Sequence, residues 1–369
     1  MMDLELLLQH EATQNQYIFN FVLMNIIFLF SYLFRKNKRV VPLVWVLIAV
    51  FLLFAYWGTD YFTFRETFYT SLKGFRDPLY YYISLISFNS YTIFRFIIWG
   101  SALFLFYKTL KRLKLSLNYS AFIFCVFFLL TFSYARVSLG MAMYFYGVSR
   151  LLVVNHKNRI MDLIVGMLFI IGSYWGHRSM LVPILMTPIL FVELNKKTVY
   201  LFIAIGVVFS GLATVLLSGF ASEEIVMDSQ LSGFGEAATK YASNEAVLEY
   251  NWKFMLTNNL RNYSFIILMV YFVWRTVFSK RSIQIDPSIK RLLSLCCCIL
   301  IVALSFMSIP GAGSSIIGYR YLYMLGIPLC LILSYMTTNG LCKFRTMFLL
   351  LLPALLYSEG FILGKILSF

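Results

Sequence analysis

The stretch YIFNFVLMNIIFLFSYLF at Tyr17–Phe34, followed directly by RKNKR at Arg35–Arg39, decides the fold of this chain. An uncharged apolar run of about 18 residues is long enough to cross a bilayer as an α-helix. A basic cluster after such a run marks the cytoplasmic end, because short cytoplasmic loops are enriched in lysine and arginine. The stretch therefore predicts a membrane-spanning helix that starts outside and ends inside.

The same pattern repeats along the 369 residues, of which 60% are hydrophobic and 13% are charged. A soluble protein of this length could not bury so much apolar surface in one or two cores. We predict an all-α polytopic membrane protein, a single transmembrane domain over residues 1–369 with about twelve spans. The predicted spans are 17–34, 40–57, 90–107, 117–134, 136–153, 160–176, 180–193, 198–218, 258–278, 292–309, 320–337 and 346–363.

The distribution of charges predicts the orientation of these spans. With the N-terminus outside, most of the 31 lysines and arginines fall in connections on one side, and most of the 16 acids fall on the other. This bias sets the topology of membrane proteins. We expect extracytoplasmic N- and C-termini in the cell (inner or plasma) membrane. The net charge of +15 then reflects topology, and we expect no nucleic-acid partner.

Two predicted extracytoplasmic loops, residues 58–89 and 219–257, are longer than ordinary connections. Loops of this length are usually lids, binding loops or disordered linkers. Within the first, the aromatic segment near 79–88 is too short to span and suits a re-entrant or interfacial position. Asp77–Pro78 is expected to start that segment, because proline is preferred in a first helical turn.

Three arginines, Arg136, Arg178 and Arg320, lie at predicted outer ends of spans, where the positive-inside bias should deplete them. They could snorkel to the interface. A guanidinium also presents a planar fork of donors that suits phosphate or carboxylate. Because all three arginines are predicted on the same outer face, binding of an anionic substrate is the favoured interpretation. The deeper Arg95 is either a structural partner of an acid or a further pocket residue.

His177 and Asp60 are the candidate proton acceptors of the outer face. His177 follows an uncharged span, and the adjoining Arg178 should disfavour its protonated form. The alternative is an interfacial histidine satisfied by water or backbone. Asp60 is either a helix cap or an acid that serves as a base or orients a sugar hydroxyl. We assign His177 as general base and Asp60 as the acceptor-orienting residue.

Several common catalytic motifs do not occur in the sequence. It has no phosphate-binding loop, no histidine and cysteine group with metal-ligand spacing, and no nucleophile elbow. We therefore expect no metal and no cofactor. If the site binds a diphosphate, arginines must neutralise it.

The chain resembles the EpsG-type branch of the bacterial polysaccharide polymerases, the Wzy or O-antigen polymerase group. Relatives often carry an arginine just before the Gly–Thr–Asp motif, where this chain has Ala55, Tyr56 and Trp57. Arg95 or Arg65 would have to replace it. The motifs that carry the resemblance are Gly58–Thr59–Asp60–Tyr61, Asp77–Pro78–Leu79–Tyr80, Arg136, His177–Arg178–Ser179 and Tyr319–Arg320–Tyr321.

The resemblance implies a metal-independent membrane glycosyltransferase whose helices have a GT-C-like arrangement. Such an enzyme joins repeat units linked to undecaprenyl diphosphate into a surface polysaccharide, O-antigen or exopolysaccharide. The expected partners are that lipid-linked oligosaccharide, membrane lipid, and a chain-length regulator and flippase of the same pathway. Arg136, Arg178 and Arg320 would bind the diphosphate. Further pocket residues would be Arg95, Arg65, Tyr319 and Tyr321.

Two other functions compete with this prediction. A lipid-linked oligosaccharide flippase, or another secondary transporter, also has about a dozen helices, but its charges should lie near the midplane and internal repeats are common. A membrane acyltransferase would place its histidine toward a cytoplasmic acyl donor, whereas His177 is predicted outside. The outer position of the charges favours the polymerase.

Overall fold

The chain is all-helical wherever its structure is described, and the prediction of an all-α protein is confirmed. The computed structural model describes residues 12–55, 59–70, 77–134, 137–153, 159–220, 252–279, 285–307 and 312–368. The helices are α1 Gln14–Leu33, α2 Val41–Leu53, α3 Thr59–Thr70, α4 Pro78–Leu85, α5 Tyr91–Arg112, α6 Leu117–Phe127, α7 Leu129–Tyr134, α8 Ser138–Leu152, α9 Arg159–Gly176, α10 Leu181–Met186, α11 Lys196–Phe220, α12 Trp252–Val273, α13 Pro287–Met307, α14 Ala312–Met324, α15 Gly326–Thr338 and α16 Phe344–Ile366.

Within those ranges, six helices or helical runs are long and apolar enough to cross a membrane. They are Gln14–Leu33, Tyr91–Arg112, Arg159–Gly176, Pro287–Met307, Gly318–Thr338 and Phe344–Ile366. Shorter apolar helices accompany them at Val41–Leu53, Leu117–Phe127 and Arg178–Phe191. A multi-pass membrane protein is the only class that fits this set. The twelve-span count and the GT-C-like arrangement stay predictions.

The helices form two compact units, one of Met1–Thr187 with Gly326–Phe369 and the other of Pro188–Leu325. In the first unit α6 is the central helix. It packs against α1, α2, α5, α15 and α16, and every residue from Ser120 to Phe127 is buried. The ring of Phe124 packs against those of Phe106, Phe128 and Phe132. In the second unit α13 packs against α11, α12 and α14.

The predicted span 117–134 is two helices, α6 and α7, with a break at Phe128 (φ −131°). The reason lies in α15, because a Cβ at Gly326 would overlap the Phe128 ring. The ring therefore occupies the space that the glycine leaves at the start of α15.

The short aromatic segment near 79–88 forms α4, whose eight residues are too few to span. Asp77 is its N-cap and Pro78 stands in its first turn, as predicted. Phe88 and Asn89 then take left-handed backbone conformations (φ 49° and 57°), which end the segment before α5 begins. Its interfacial or re-entrant position stays a prediction, and most of the loop at 219–257 lies outside the described residues.

A charge network ties α5, α8 and α9 together at the end that we predict to be cytoplasmic. Asp162 is buried, with Oδ2 2.6 Å from Nη2 of Arg112 and Oδ1 2.8 Å from Nη1 of Arg150. Arg112 also donates to the carbonyl oxygens of Ser149 and Val153 on α8 and just beyond its end. The single carboxylate of Asp162 thus pairs with one arginine from each of two neighbouring helices, α5 and α8.

Candidate active site

The position of His177 is fixed by close contact between α8 and α9. A Cβ at Gly176 would lie 3.0 Å from Cα of Gly140, and a Cβ at Gly147 would lie 2.6 Å from the carbonyl oxygen of Gly166. Small residues allow helix backbones to approach in this way. The N–H of His177 donates to the carbonyl oxygen of Ser173 at 3.0 Å. His177 therefore leaves α9 at a point that the glycine contacts hold in place.

The imidazole of His177 is half-buried and bonded to its own turn. It is the N-cap of the 3₁₀ turn Arg178–Met180, and Nδ1 accepts a hydrogen bond from the N–H of Ser179 at 3.1 Å. Ser179 Oγ lies 2.6 Å from the same nitrogen. A backbone N–H can only donate, so Nδ1 must be unprotonated here. The proton of the neutral ring then resides on Nε2, and the serine hydroxyl is the second donor to Nδ1.

Asp77 joins the start of α4 to this turn. Its carboxylate is buried, and Oδ1 accepts a hydrogen bond from the backbone N–H of Arg178 at 3.3 Å. The side chain of Arg178 itself is exposed. In the sequence Asp77 was interpreted as the start of a helix and as part of a motif of the resemblance, and its place beside His177 was missed. The Asp–Pro motif draws attention to Asp77, but it does not predict the contact with Arg178, which lies 101 residues further along the chain.

Arg95 caps the end of α2. Its Nη2 donates to the carbonyl oxygens of Leu52 at 2.5 Å and Ala55 at 3.3 Å. The last carbonyl groups of a helix lack intrahelical partners and attract cations. This contact supports a structural role, with a helix end as the partner. It also brings the guanidinium to Ala55, one of the positions where the resemblance predicts an arginine.

Arg65, on α3, belongs to a buried aromatic cluster formed by residues of α3 and α5. It is buried and lies over the rings of Phe62 and Tyr61, with centroid distances of 5.1 and 5.8 Å. Arg95 lies 4.4 Å from the Tyr61 centroid, and Tyr91 Oη donates to the Tyr61 carbonyl oxygen. Arg95 therefore joins α5 to α3 through a cation–π contact, whereas the ring contacts of Arg65 lie within α3.

Two predicted site residues cannot be placed. Asp60 lies in the first turn of α3, but its side chain is outside the described part of the structure. Arg136, between α7 and α8, also lies outside the described residues. Their roles stay predictions.

The second unit carries the late motif on α14. Arg320 is exposed, and Tyr319 is half-buried. Tyr321 is buried and stacks on Phe306 of α13, with ring centroids 5.8 Å apart and planes at 26°. Tyr321 is thus a packing residue of this unit, whereas Arg320 and Tyr319 present polar groups at its surface.

Arg261 and Asn262 of α12 are buried polar residues that the sequence analysis did not select. The guanidinium of Arg261 lies 4.4 Å from the centroid of Tyr323, one helical turn beyond Arg320. Among the described residues, neither amide atom of Asn262 has a hydrogen-bond partner. Buried polar atoms are normally satisfied, so this pair is a further candidate for substrate contact. The adjacent arginine and asparagine within a mostly apolar helix were the available signal.

The two groups of candidates belong to different units, His177, Arg178 and Asp77 to the first and Arg320 and Arg261 to the second. Convergence of the three arginines on one cavity stays a prediction. Within the described ranges, no three histidine, cysteine or acidic side chains are grouped so that they could hold a metal ion.

Comparison with known proteins places the chain in a family. No curated protein and no solved structure matches it. The model of the EpsG family matches residues 38–363, which is most of the chain. The chain therefore belongs to the EpsG family, the family of Wzy/EpsG-type polysaccharide polymerases.

Proposed function

We propose that this protein polymerises lipid-diphosphate-linked oligosaccharide units on the extracytoplasmic face of the inner or plasma membrane. The family match over residues 38–363 carries this proposal. The polar turn at His177, anchored between membrane helices, supports it, because ionisable groups at membrane depth commonly mark substrate paths. A chain-length regulator and the flippase that delivers the lipid-linked units are the proposed partners.

The proposed reaction transfers the growing chain from undecaprenyl diphosphate to the next unit. A sugar hydroxyl oxygen forms a bond to the anomeric carbon, and the bond from that carbon to the diphosphate oxygen breaks. The electron pair leaves with the diphosphate, and the hydroxyl proton passes to a base. Fixed cations at the leaving oxygen stabilise the developing charge. Arg178, Arg320 and Arg136 are the proposed cations, and no metal is required for this step.

His177 is the proposed base, and its geometry defines how the proton would reach it. The serine hydroxyl already donates to Nδ1 across 2.6 Å, so the oxygen lone pairs of Ser179 are oriented away from the ring. A sugar hydroxyl that donates to Ser179 Oγ would lose its proton to this oxygen while the serine proton moves to Nδ1. Once Nδ1 is protonated, it can no longer accept the hydrogen bond from the Ser179 N–H. The loss of this hydrogen bond favours release of the proton from Nδ1. Asp60 remains the proposed acceptor-orienting residue.

A strain that lacks this chain tests the function against its alternative. Gel analysis of surface polysaccharide should reveal single capped units without a ladder, and the wild-type gene should restore the ladder. Loss of all surface glycan, with lipid-linked units retained on the inner face, would contradict the proposal and indicate a flippase. Purified protein supplied with lipid-linked units alone should then form polymer.

A further inference from the structure

A groove in the first unit lies at the opposite end of the helices from His177. It has a volume of about 940 Å³ and is lined by α2, α5 and the start of α6. Small-molecule sites span roughly 300–1,000 Å³, so this groove is large. Its walls include Trp45, Val46 and Ala49 of α2 and Phe104 of α5. Val46 and Phe104 are 57% and 56% exposed, so the groove opens sideways where these apolar helices would meet the bilayer.

Gly100 widens the groove in the middle of α5. Glycine is unfavourable inside a helix compared with alanine, and several helical glycines of this protein, such as Gly147 and Gly176, permit close contact between helices. At Gly100 an added Cβ would meet no atom within 4 Å. Protein packing therefore does not require this glycine, and the space above it is part of the groove.

Two lysines line the same groove at its basic end. Lys38 precedes α2, Lys114 follows α5, and both are exposed. Lys114 has a left-handed backbone (φ 54°) and occupies the position that glycine usually takes after a helix. Its N–H donates to the Lys111 carbonyl oxygen, and that of Leu115 donates to Leu110. A lysine thus takes a conformation that favours glycine, and it does so at the groove.

Among the residues that the structure describes, no acidic side chain lines the groove, and uncharged polar residues lie beside the lysines. Ser116, Asn118 and Thr338 are part of the lining at this end. The Ser116 N–H donates to Thr338 Oγ1 at 3.4 Å, which joins the start of α6 to the end of α15. The groove therefore combines apolar walls, a lateral opening and a positively charged polar end. This combination is complementary to an acidic lipid, because the acyl chain suits the apolar walls and the anionic headgroup suits the positively charged end.

We propose that this groove binds an acidic glycerophospholipid of the leaflet on the basic side of the membrane. An acyl chain lies along Gly100 and Phe104, and the phosphate lies between Lys38 and Lys114. Each juxtamembrane lysine strengthens binding of acidic lipid about fivefold. The site is separate from the proposed active site and does not depend on the polymerase function.

Native mass spectrometry of the purified full-length protein, titrated with dioleoyl phosphatidylglycerol, tests the proposal. Lys114→Gly removes the charge and relieves the left-handed backbone, so a loss of binding cannot be assigned to a damaged fold. Lys114→Gly and Lys38→Gln should each weaken binding about fivefold. Lys36→Gln is the matched control, because Lys36 lies in the same connection but does not line the groove. Gly100→Phe should fill the groove and also reduce binding.

Dioleoyl phosphatidylcholine is the second probe in the same titration. It should bind more weakly than phosphatidylglycerol, and the two lysine variants should not change its affinity. Wild-type affinity for phosphatidylglycerol in both lysine variants would overturn the proposal. Equal binding of the two lipids, or unchanged binding in Gly100→Phe, would also overturn it. Tighter binding of undecaprenyl phosphate than of phosphatidylglycerol would assign the groove to the carrier lipid instead.

Discussion

The backbone of Gly176 at the end of α9 contacts the backbone of Gly140 at the start of α8. A Cβ at Gly176 would lie 3.0 Å from Cα and 3.1 Å from N of Gly140. A Cβ at Gly140 would lie 3.4 Å from the N of His177. The glycine contact thus decides where the proposed catalytic histidine leaves its helix.

Gly176→Ala should lower both stability and activity, because an added methyl group must push α8 and α9 apart. Overpacking of this kind costs about 1–3 kcal/mol. Thermal unfolding in detergent and polymer formation measure the two effects. Gly364→Ala is the control, since a Cβ there meets no atom within 4 Å and alanine favours a helix. Equal stability and activity in the two variants would contradict the packing role.

Asp162→Asn should destabilise the first unit by about 3 kcal/mol, because it leaves two neighbouring arginines without their shared carboxylate. Glu193→Gln is the matched control. Glu193 pairs with Arg291 at 3.5 Å, and both side chains are more than a third exposed. Exposed pairs contribute about 0–1 kcal/mol. The two variants are compared by thermal unfolding, and a loss in Asp162→Asn no larger than in the control would count against the network.

Hydrophobic length predicted several of the helices, because a membrane requires about 20 apolar residues per span whatever the partners are. The predicted 17–34 is α1 at Gln14–Leu33, and the predicted 160–176 is α9. The break at Phe128 could not be predicted in this way. It depends on Gly326, which is distant in the sequence and becomes a neighbour only through packing.

The candidate site was predictable only in part, for the same reason. Arg178 stands out, and with it the adjoining His177, because the positive-inside bias depletes arginine at the outer ends of spans. The hydrogen bond between Asp77 and the Arg178 N–H, and the contact between Arg261 and Tyr323, join separate helices. Residue type also did not indicate the packing partner of Tyr321, which stacks on Phe306 of another helix.

The predicted orientation can be tested by cysteine labelling in intact cells. Cysteines introduced at Ser71 and Ser243, which are outside the described residues, should react with an impermeant thiol reagent. A cysteine at Ser282 should be protected. The six native cysteines are buried, so the wild-type protein provides a low background. Labelling at position 282 with protection of the other two would invert the topology and remove the basis for an extracytoplasmic site.

Replacing Arg136, Arg178 and Arg320 singly by lysine should shorten the polymer ladder. Lysine keeps the positive charge but loses the planar fork that binds two phosphate oxygens. We expect polymerisation rates to fall about tenfold for each variant. Arg159→Lys is the control, because Arg159 is exposed at the start of α9, far along that helix from His177. Wild-type ladders from all three variants would mean that the arginines only snorkel.

The proton path can be tested at Ser179, because the side chain of this residue can be changed without removing its backbone hydrogen bond to His177. Ser179→Ala keeps the N–H that donates to Nδ1 but removes the hydroxyl 2.6 Å from it. If the serine relays the proton, Ser179→Ala should lower the polymerisation rate about 100-fold, within the range of a lost acid–base group. Ser179→Thr keeps a hydroxyl and should retain most activity.

His177→Ala and Asp60→Asn complete this test at equal membrane abundance. Loss of activity in His177→Ala together with Ser179→Ala supports the relay. Loss of activity in His177→Ala with full activity in Ser179→Ala would exclude the relay. His177 would then act directly, either as a base through Nδ1 or as a hydrogen-bond donor through Nε2. Activity in His177→Ala with none in Asp60→Asn would assign the base to Asp60. The distinction is sharp because the Ser179 N–H fixes Nδ1 as an acceptor in the resting protein.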